Sequence, residues 1–151
     1  MKRILMILVA VLAFTCTGYA QGAVGVRVGC LSGISAEASF QSEFSYHHRL
    51  ELDAGISNIT KSPVWFNLTA AYHYRSYLLS RTNWFAGPAL AARVSTDPHA
   101  GLAAGLQAGL EYELDILPLT ISLDFRPMVN VLGPYAYHPY FDLGLSLRYL
   151  I

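Results

Sequence analysis

"FDLGLSLRYLI", Phe141 to Ile151, closes the chain and sets how the rest is read. Phe141, Leu143, Leu145, Leu147, Tyr149 and Ile151 alternate with Asp142, Gly144, Ser146 and Arg148, and only Leu150 interrupts the pattern. Successive side chains of a strand point to opposite faces, so this segment is a two-faced strand, one side apolar and the other charged or small. The open question is which face meets protein, and whether the solvent on the other is water or lipid.

The same alternation recurs upstream. "VGVRVGC" sets Val24, Val26, Val28 and Cys30 against Gly25, Arg27 and Gly29. "ISAEASF", "LELDAGIS", "FNLTAAYHY", "WFAGPALAAR", "GLAAGLQAGLEYE" and "LTISLDFRPMVNV" repeat it, and the closing segment makes eight strands. Each is near the ~9–11 residues with which a tilted strand crosses a bilayer. The links "SG", "QSEFSYHH", "NITKSP", "SYLLSRT", "STDPHA", "DILP" and "GPYAYHP" are of hairpin scale, which predicts antiparallel neighbours. An even number of strands returns both termini to one end, as a closed up-and-down barrel requires. The predicted fold is therefore all-β, an eight-stranded antiparallel up-and-down transmembrane β-barrel.

The first twenty residues stand apart. "MKR" is basic, "ILMILVAVLAF" is a short apolar run, and "TCTGYA" ends in small residues. This is the plan of a secretory signal peptide, and the run is too short to span a bilayer as a helix. The predicted organisation is a signal peptide at 1–20, cleaved after Ala20, and a barrel at 21–151. Loss of Lys2 and Arg3 leaves eight basic against ten acidic residues, which gives no reason to expect a nucleic-acid partner. Cys30 then stands alone, so no intramolecular disulfide forms within 21–151.

Three features predict that the apolar face meets lipid. Lys61 is the one lysine after the leader, whereas a soluble domain coats itself with Lys and Glu. The opposite face is rich in Gly, Ala and Ser, which suits a narrow eight-stranded interior. The aromatics on the apolar face gather toward strand ends, with Phe40, Tyr72, Tyr74, Trp84, Tyr112 and Tyr149 near one end and Phe66 and Phe141 near the other. Such placement predicts membrane-interface girdles. The lumen is then predicted to hold a polar network of Arg27, Glu37, Glu51, Asp53, Arg93, Glu111, Glu113, Asp124, Arg126, Asp142 and Arg148, with Arg49 and Arg75 as further partners at the periplasmic rim and His73 facing the lumen at a strand end. Pro88 and Pro127 are the awkward residues, because proline cannot donate to a ladder.

These segments resemble the small eight-stranded outer membrane β-barrel proteins of Gram-negative bacteria, the group of OmpX and the OmpA transmembrane domain, and most of all short barrels of the Bacteroidetes type. The residues that carry the likeness are "GVRVGCLSGISAE", "NWFAGPALA", "LDFRPMVNVLG" and "LGLSLRYLI". The resemblance implies location in the outer membrane, contact with its lipids, and handling by the barrel-assembly machinery during insertion. Ile151 stands where that group usually carries a terminal Phe or Tyr.

The expected function is that of an integral outer membrane protein, a monomer, with a structural or surface-interaction role and no catalytic activity. The alternatives are a narrow passive pore, a lipid-modifying enzyme, and a secreted soluble barrel binding an apolar ligand. For the enzyme reading, Ser95, Asp97 and His99 in "STDPHA" and His138 are the residues to weigh, because a nucleophilic hydroxyl needs a base within hydrogen-bond reach. No metal or cofactor is expected, since no histidine stands at ligand spacing from a partner.

Overall fold

The computed structural model describes residues 21–31 and 33–151, so the predicted signal peptide, 1–20, lies outside the described residues. Eight strands follow one another: β1 (Gly22–Leu31), β2 (Ser35–Ser45), β3 (His48–Ser57), β4 (Trp65–Leu79), β5 (Thr82–Ser95), β6 (Ala100–Glu113), β7 (Leu119–Leu132) and β8 (Pro139–Leu150). Each pairs antiparallel with its sequence neighbours, and β8 returns to β1 to close the barrel. Closure leaves no edge with unpaired N–H and C=O groups, each of which would cost several kcal/mol in hydrocarbon.

The register fixes the shape. Val24 lies opposite Phe40, and the pairing then runs through Leu52, Ala70, Leu90, Ala104, Val129 and Pro139. Leu31 lies opposite Asp142 on the final seam, so Pro139 falls level with position 34, ten residues beyond the start. A shear of ten on eight strands is a strongly staggered barrel, with strands inclined about 35–45° to its axis.

Burial follows the alternation. Val26, Leu90, Leu106 and Leu145 are more than half exposed on the outside, while Arg27 and Glu51 inside are 0% exposed. The apolar surface is thus the exterior and the charges line the interior. This overturns the alternative of a soluble barrel with an apolar ligand cavity, whose polarity would be the reverse.

Two details differ from the sequence reading. The strands β4–β7 run to 14 or 15 residues, longer than a crossing requires. The segments expected as long links at the terminal end are mostly strand: β2 continues through Ser45 and β4 through Leu79, leaving Tyr46–His47 and Ser80–Arg81 as two-residue turns. Their alternation persists, with Phe44 outside and Glu43 turned toward Arg75, and that pairing keeps the ladder going past the apolar band.

Pro88 and Pro127 find a place without a shift of register. Pro88 pairs with Leu106 on one side, while the β4–β5 ladder skips from Ala71–Ala89 to Tyr74–Ala86 on the other. Pro127 pairs with Phe141, and the β6–β7 ladder skips from Gly105–Met128 to Ala108–Phe125. Each proline's missing N–H coincides with a gap in one ladder, so the strand loses a bond and keeps its path.

Candidate functional site: the lumen network and its mouth

The interior is filled by side chains arranged around Glu51. Its carboxylate accepts from Arg148 at 3.0 Å and from Gln107 at 3.0 Å, has Arg126 at 3.5 Å, and is also bonded by Gln41. Arg126 spans the lumen, reaching Glu37 at 3.2 Å and Asp53 while its Nε donates to Gln107 at 3.2 Å. Arg27 donates to Asp124 at 2.7 Å, Asp142 at 2.5 Å and Glu37 at 3.1 Å. Glu37 therefore joins the Arg27 and Arg126 groups into one network. Arg148 is completed by the hydroxyls of Ser39 at 3.0 Å and Ser122 at 2.6 Å.

Small residues make room for these long ones. Gly29 and Gly144 face each other across β1 and β8, and a Cβ on Gly144 would overlap the Arg27 guanidinium. Buried charge is tolerated only when paired and hydrogen-bonded, and here the guanidinium forks and carboxylates supply both.

Toward the terminal end the network changes character. Arg49, expected at the rim, is buried: it donates to Glu111 at 2.6 Å and lies 4.6 Å from the centre of the Phe85 ring. The reason is Phe85, a large apolar side chain inside the lumen, which offers its face to the guanidinium and covers it. His73 is fully buried too, with its ring 4.8 Å from that of Phe85 and Nδ1 3.4 Å from Arg49 Nε. Below them Arg75 gathers Glu43 and Glu113 and lies 3.2 Å from Glu111, in a polar vestibule of about 190 Å³.

The other end is different. Ala71, Ala89, Ala91, Ala103 and Met128 form a small apolar cluster inside the barrel, and Tyr140 packs on it. Arg93 lies above, 4.3 Å from the centre of the Tyr140 ring and 4.8 Å from that of Trp65. Its partners are neutral: Asn67 at 3.0 Å, Asn130 at 3.5 Å and Ser57 at 3.5 Å.

All eleven sequence-selected lumen residues turn inward, but into different settings. Arg27, Glu37, Glu51, Asp53, Asp124, Arg126, Asp142 and Arg148 meet in one network; Glu111 and Glu113 belong to the Arg49–Arg75 group; Arg93 stands apart at the mouth. Residue-type reasoning passed over Gln41, Gln107, Ser39, Ser122 and Phe85. Their signal was position in the alternation, since each falls on the charged face. On the outside Tyr74, Trp84, Tyr112, Tyr149, Phe66 and Phe141 are exposed and Phe40 and Tyr72 are half-buried. Phe44, Tyr46 and Tyr77 extend the aromatic set at the terminal end, and Phe125 stacks on Phe141 at 6.0 Å.

The Ser95 hydroxyl accepts from the Asp97 amide at 3.1 Å, and the His99 carbonyl bonds the Ser95 amide. These contacts build a turn. No group of His, Cys, Asp and Glu suited to hold a metal occurs among the described residues.

Two solved structures share this architecture. The chain matches the crystal structure of Neisserial surface protein A over 86% of its own length and 94% of that chain, with a TM-score of 0.61 and 12% identity. What they share is the fold: a closed eight-stranded transmembrane barrel. A de novo designed transmembrane β-barrel matches over 87% of this chain and 95% of its own, with a TM-score of 0.56 and 14% identity. No protein-family model and no curated protein matches the sequence.

Proposed function

We propose that the chain is an integral outer membrane β-barrel whose lumen is closed by side chains, whose four-loop end faces outward in a surface-interaction role, and which carries no catalytic activity. The observation that carries the reading is the Glu51 network inside an apolar exterior. Arg126 and Arg148 both reach across the lumen to Glu51, which supports a lumen filled by side chains. The neisserial neighbour is, by its name, a surface protein, which fits an outward-facing loop end. The turn built on Ser95 directs that hydroxyl to backbone, which supports a non-catalytic reading. Under this reading the chain works as a monomer among outer membrane lipids after delivery by the barrel-assembly machinery.

Two measurements test it. Purified protein in a planar bilayer gives no steady conductance; a reproducible ion-selective open state that changes in Arg126→Ala would establish a pore instead. Sidedness is read in a Cys30→Ser background on intact cells with a membrane-impermeant maleimide. Lys61→Cys, in an exposed loop, labels, and Ile116→Cys, at the terminal end, does not. Labelling of Ile116→Cys alone would invert the orientation.

A further inference from the structure

Arg93 is the exception among the arginines of the interior. Arg27, Arg49, Arg126 and Arg148 each have a carboxylate within salt-bridge distance, and Arg75 has three. No carboxylate among the described residues lies within that distance of Arg93, although it is half-buried. Among the described residues its contacts are ring faces and neutral oxygens, two of the oxygens at 3.5 Å. A guanidinium has five N–H donors, and three are accounted for by Asn67, Asn130 and Ser57. Two donors and a full positive charge remain for a ligand.

The surroundings form a receptacle. Arg93, Trp65, Tyr140, Tyr135, Asn130 and His138 line a cavity of about 320 Å³ at the loop end. Tyr135 stands edge-on to Trp65, with ring centres 5.8 Å apart, so one loop supplies a wall to a residue of another strand. Asn130 holds the His138 carbonyl at 3.1 Å, which ties the same loop down. The volume lies at the small end of ligand sites and suits a single ring rather than a chain. Aromatic walls with one fixed cation and the Asn130 amide match the faces of a sugar and an acidic substituent on it. One N–H on each terminal nitrogen of the guanidinium is left for an oxyanion, and the planar cation suits a carboxylate or phosphate.

We propose that this cup binds an acidic monosaccharide unit, a sugar ring bearing a carboxylate or a phosphate, with the oxyanion on Arg93 and the ring against Trp65 and Tyr135. The inference gives the surface-interaction reading a ligand class and rests on it for biological meaning only. Binding itself is measurable on purified barrel, whichever way the barrel is oriented.

The chain has two tryptophans, and Trp84 lies on the outer face at the other end, so Trp84→Phe leaves Trp65 as a fluorescent reporter inside the site. Glucuronate and glucose 6-phosphate are titrated against glucose and inorganic phosphate at constant ionic strength in detergent micelles. The acidic sugars change Trp65 emission saturably and bind at least ten-fold more tightly than either control. Arg93→Gln removes that preference at least ten-fold, and Arg93→Lys, which keeps the charge without the fork, falls between. Heat-modifiable gel mobility confirms that each variant is folded. Equal response to glucose and glucuronate would overturn the role of Arg93. Equal response to inorganic phosphate would overturn the sugar. A preference that survives Arg93→Gln in folded protein would place the anion elsewhere and overturn the site, as would no saturable response at all.

Discussion

Arg126 and Arg93 lie in the same lumen and are stabilised in opposite ways. Arg126, deep in the barrel, is surrounded by Glu37, Glu51 and Asp53. Arg93, at the loop mouth, is held between Trp65 and Tyr140 by neutral oxygens. The difference is one of access to solvent. In the closed interior a charge without a counter-charge would carry a desolvation cost of several kcal/mol, so carboxylates converge on it. At the mouth, water and the negative faces of aromatic rings suffice, and the site keeps unspent binding capacity. One arginine supports the wall; the other is available to something outside.

That contrast can be tested by removing partners. Glu51→Ala strips the carboxylate shared by Arg148 and Arg126 and leaves buried cations short of acceptors, at a cost of about 3–5 kcal/mol. Urea titration of folded protein in lipid vesicles, read by gel shift, measures it; an unchanged midpoint would show that the network does not hold the barrel together. Leu145→Arg places a charge on the lipid face in the middle of β8 and costs about 2–4 kcal/mol in the same assay. Its neighbour Ser146 faces the lumen, where its buried hydroxyl has no partner, so Ser146→Ala leaves the midpoint where it was. A silent Leu145→Arg would invert the faces.

The mouth is expected to respond less. Arg93→Gln gives up two cation–π contacts and costs about 1 kcal/mol, well below Glu51→Ala. A loss as large as that of Glu51→Ala would make Arg93 a structural latch. Among the changes that do shift the midpoint, Arg81→Ala is the smallest. It breaks an exposed ion pair to Asp115 at the terminal end, worth at most about 1 kcal/mol and less in high salt. Thermal gel-shift midpoints at low and high salt separate it from the buried pairs, which keep their effect in salt.

The sequence by itself determined the strand count, the antiparallel order, the closing of the barrel and the assignment of faces. These follow from a period of two, which is a property of each segment alone: once Arg27 is inward, Val26 and Val28 must be outward. It also determined that Arg27, Glu51 and Arg126 share an interior. What only the tertiary structure decided is who meets whom. The ten-residue stagger brings Glu37 of β2 to Arg126 of β7, and Glu51 of β3 to Arg148 of β8, pairs distant in sequence and on non-adjacent strands. It buried Arg49 and His73 against Phe85, where counting positions from a strand end had put one at the rim and the other at a strand end. It also separated Arg93 from the carboxylates that its residue type and face suggested it would join. Alternation gives a side chain its face without its depth or its partner across the lumen. Those depend on shear and tilt, which are properties of the closed sheet and of no single strand.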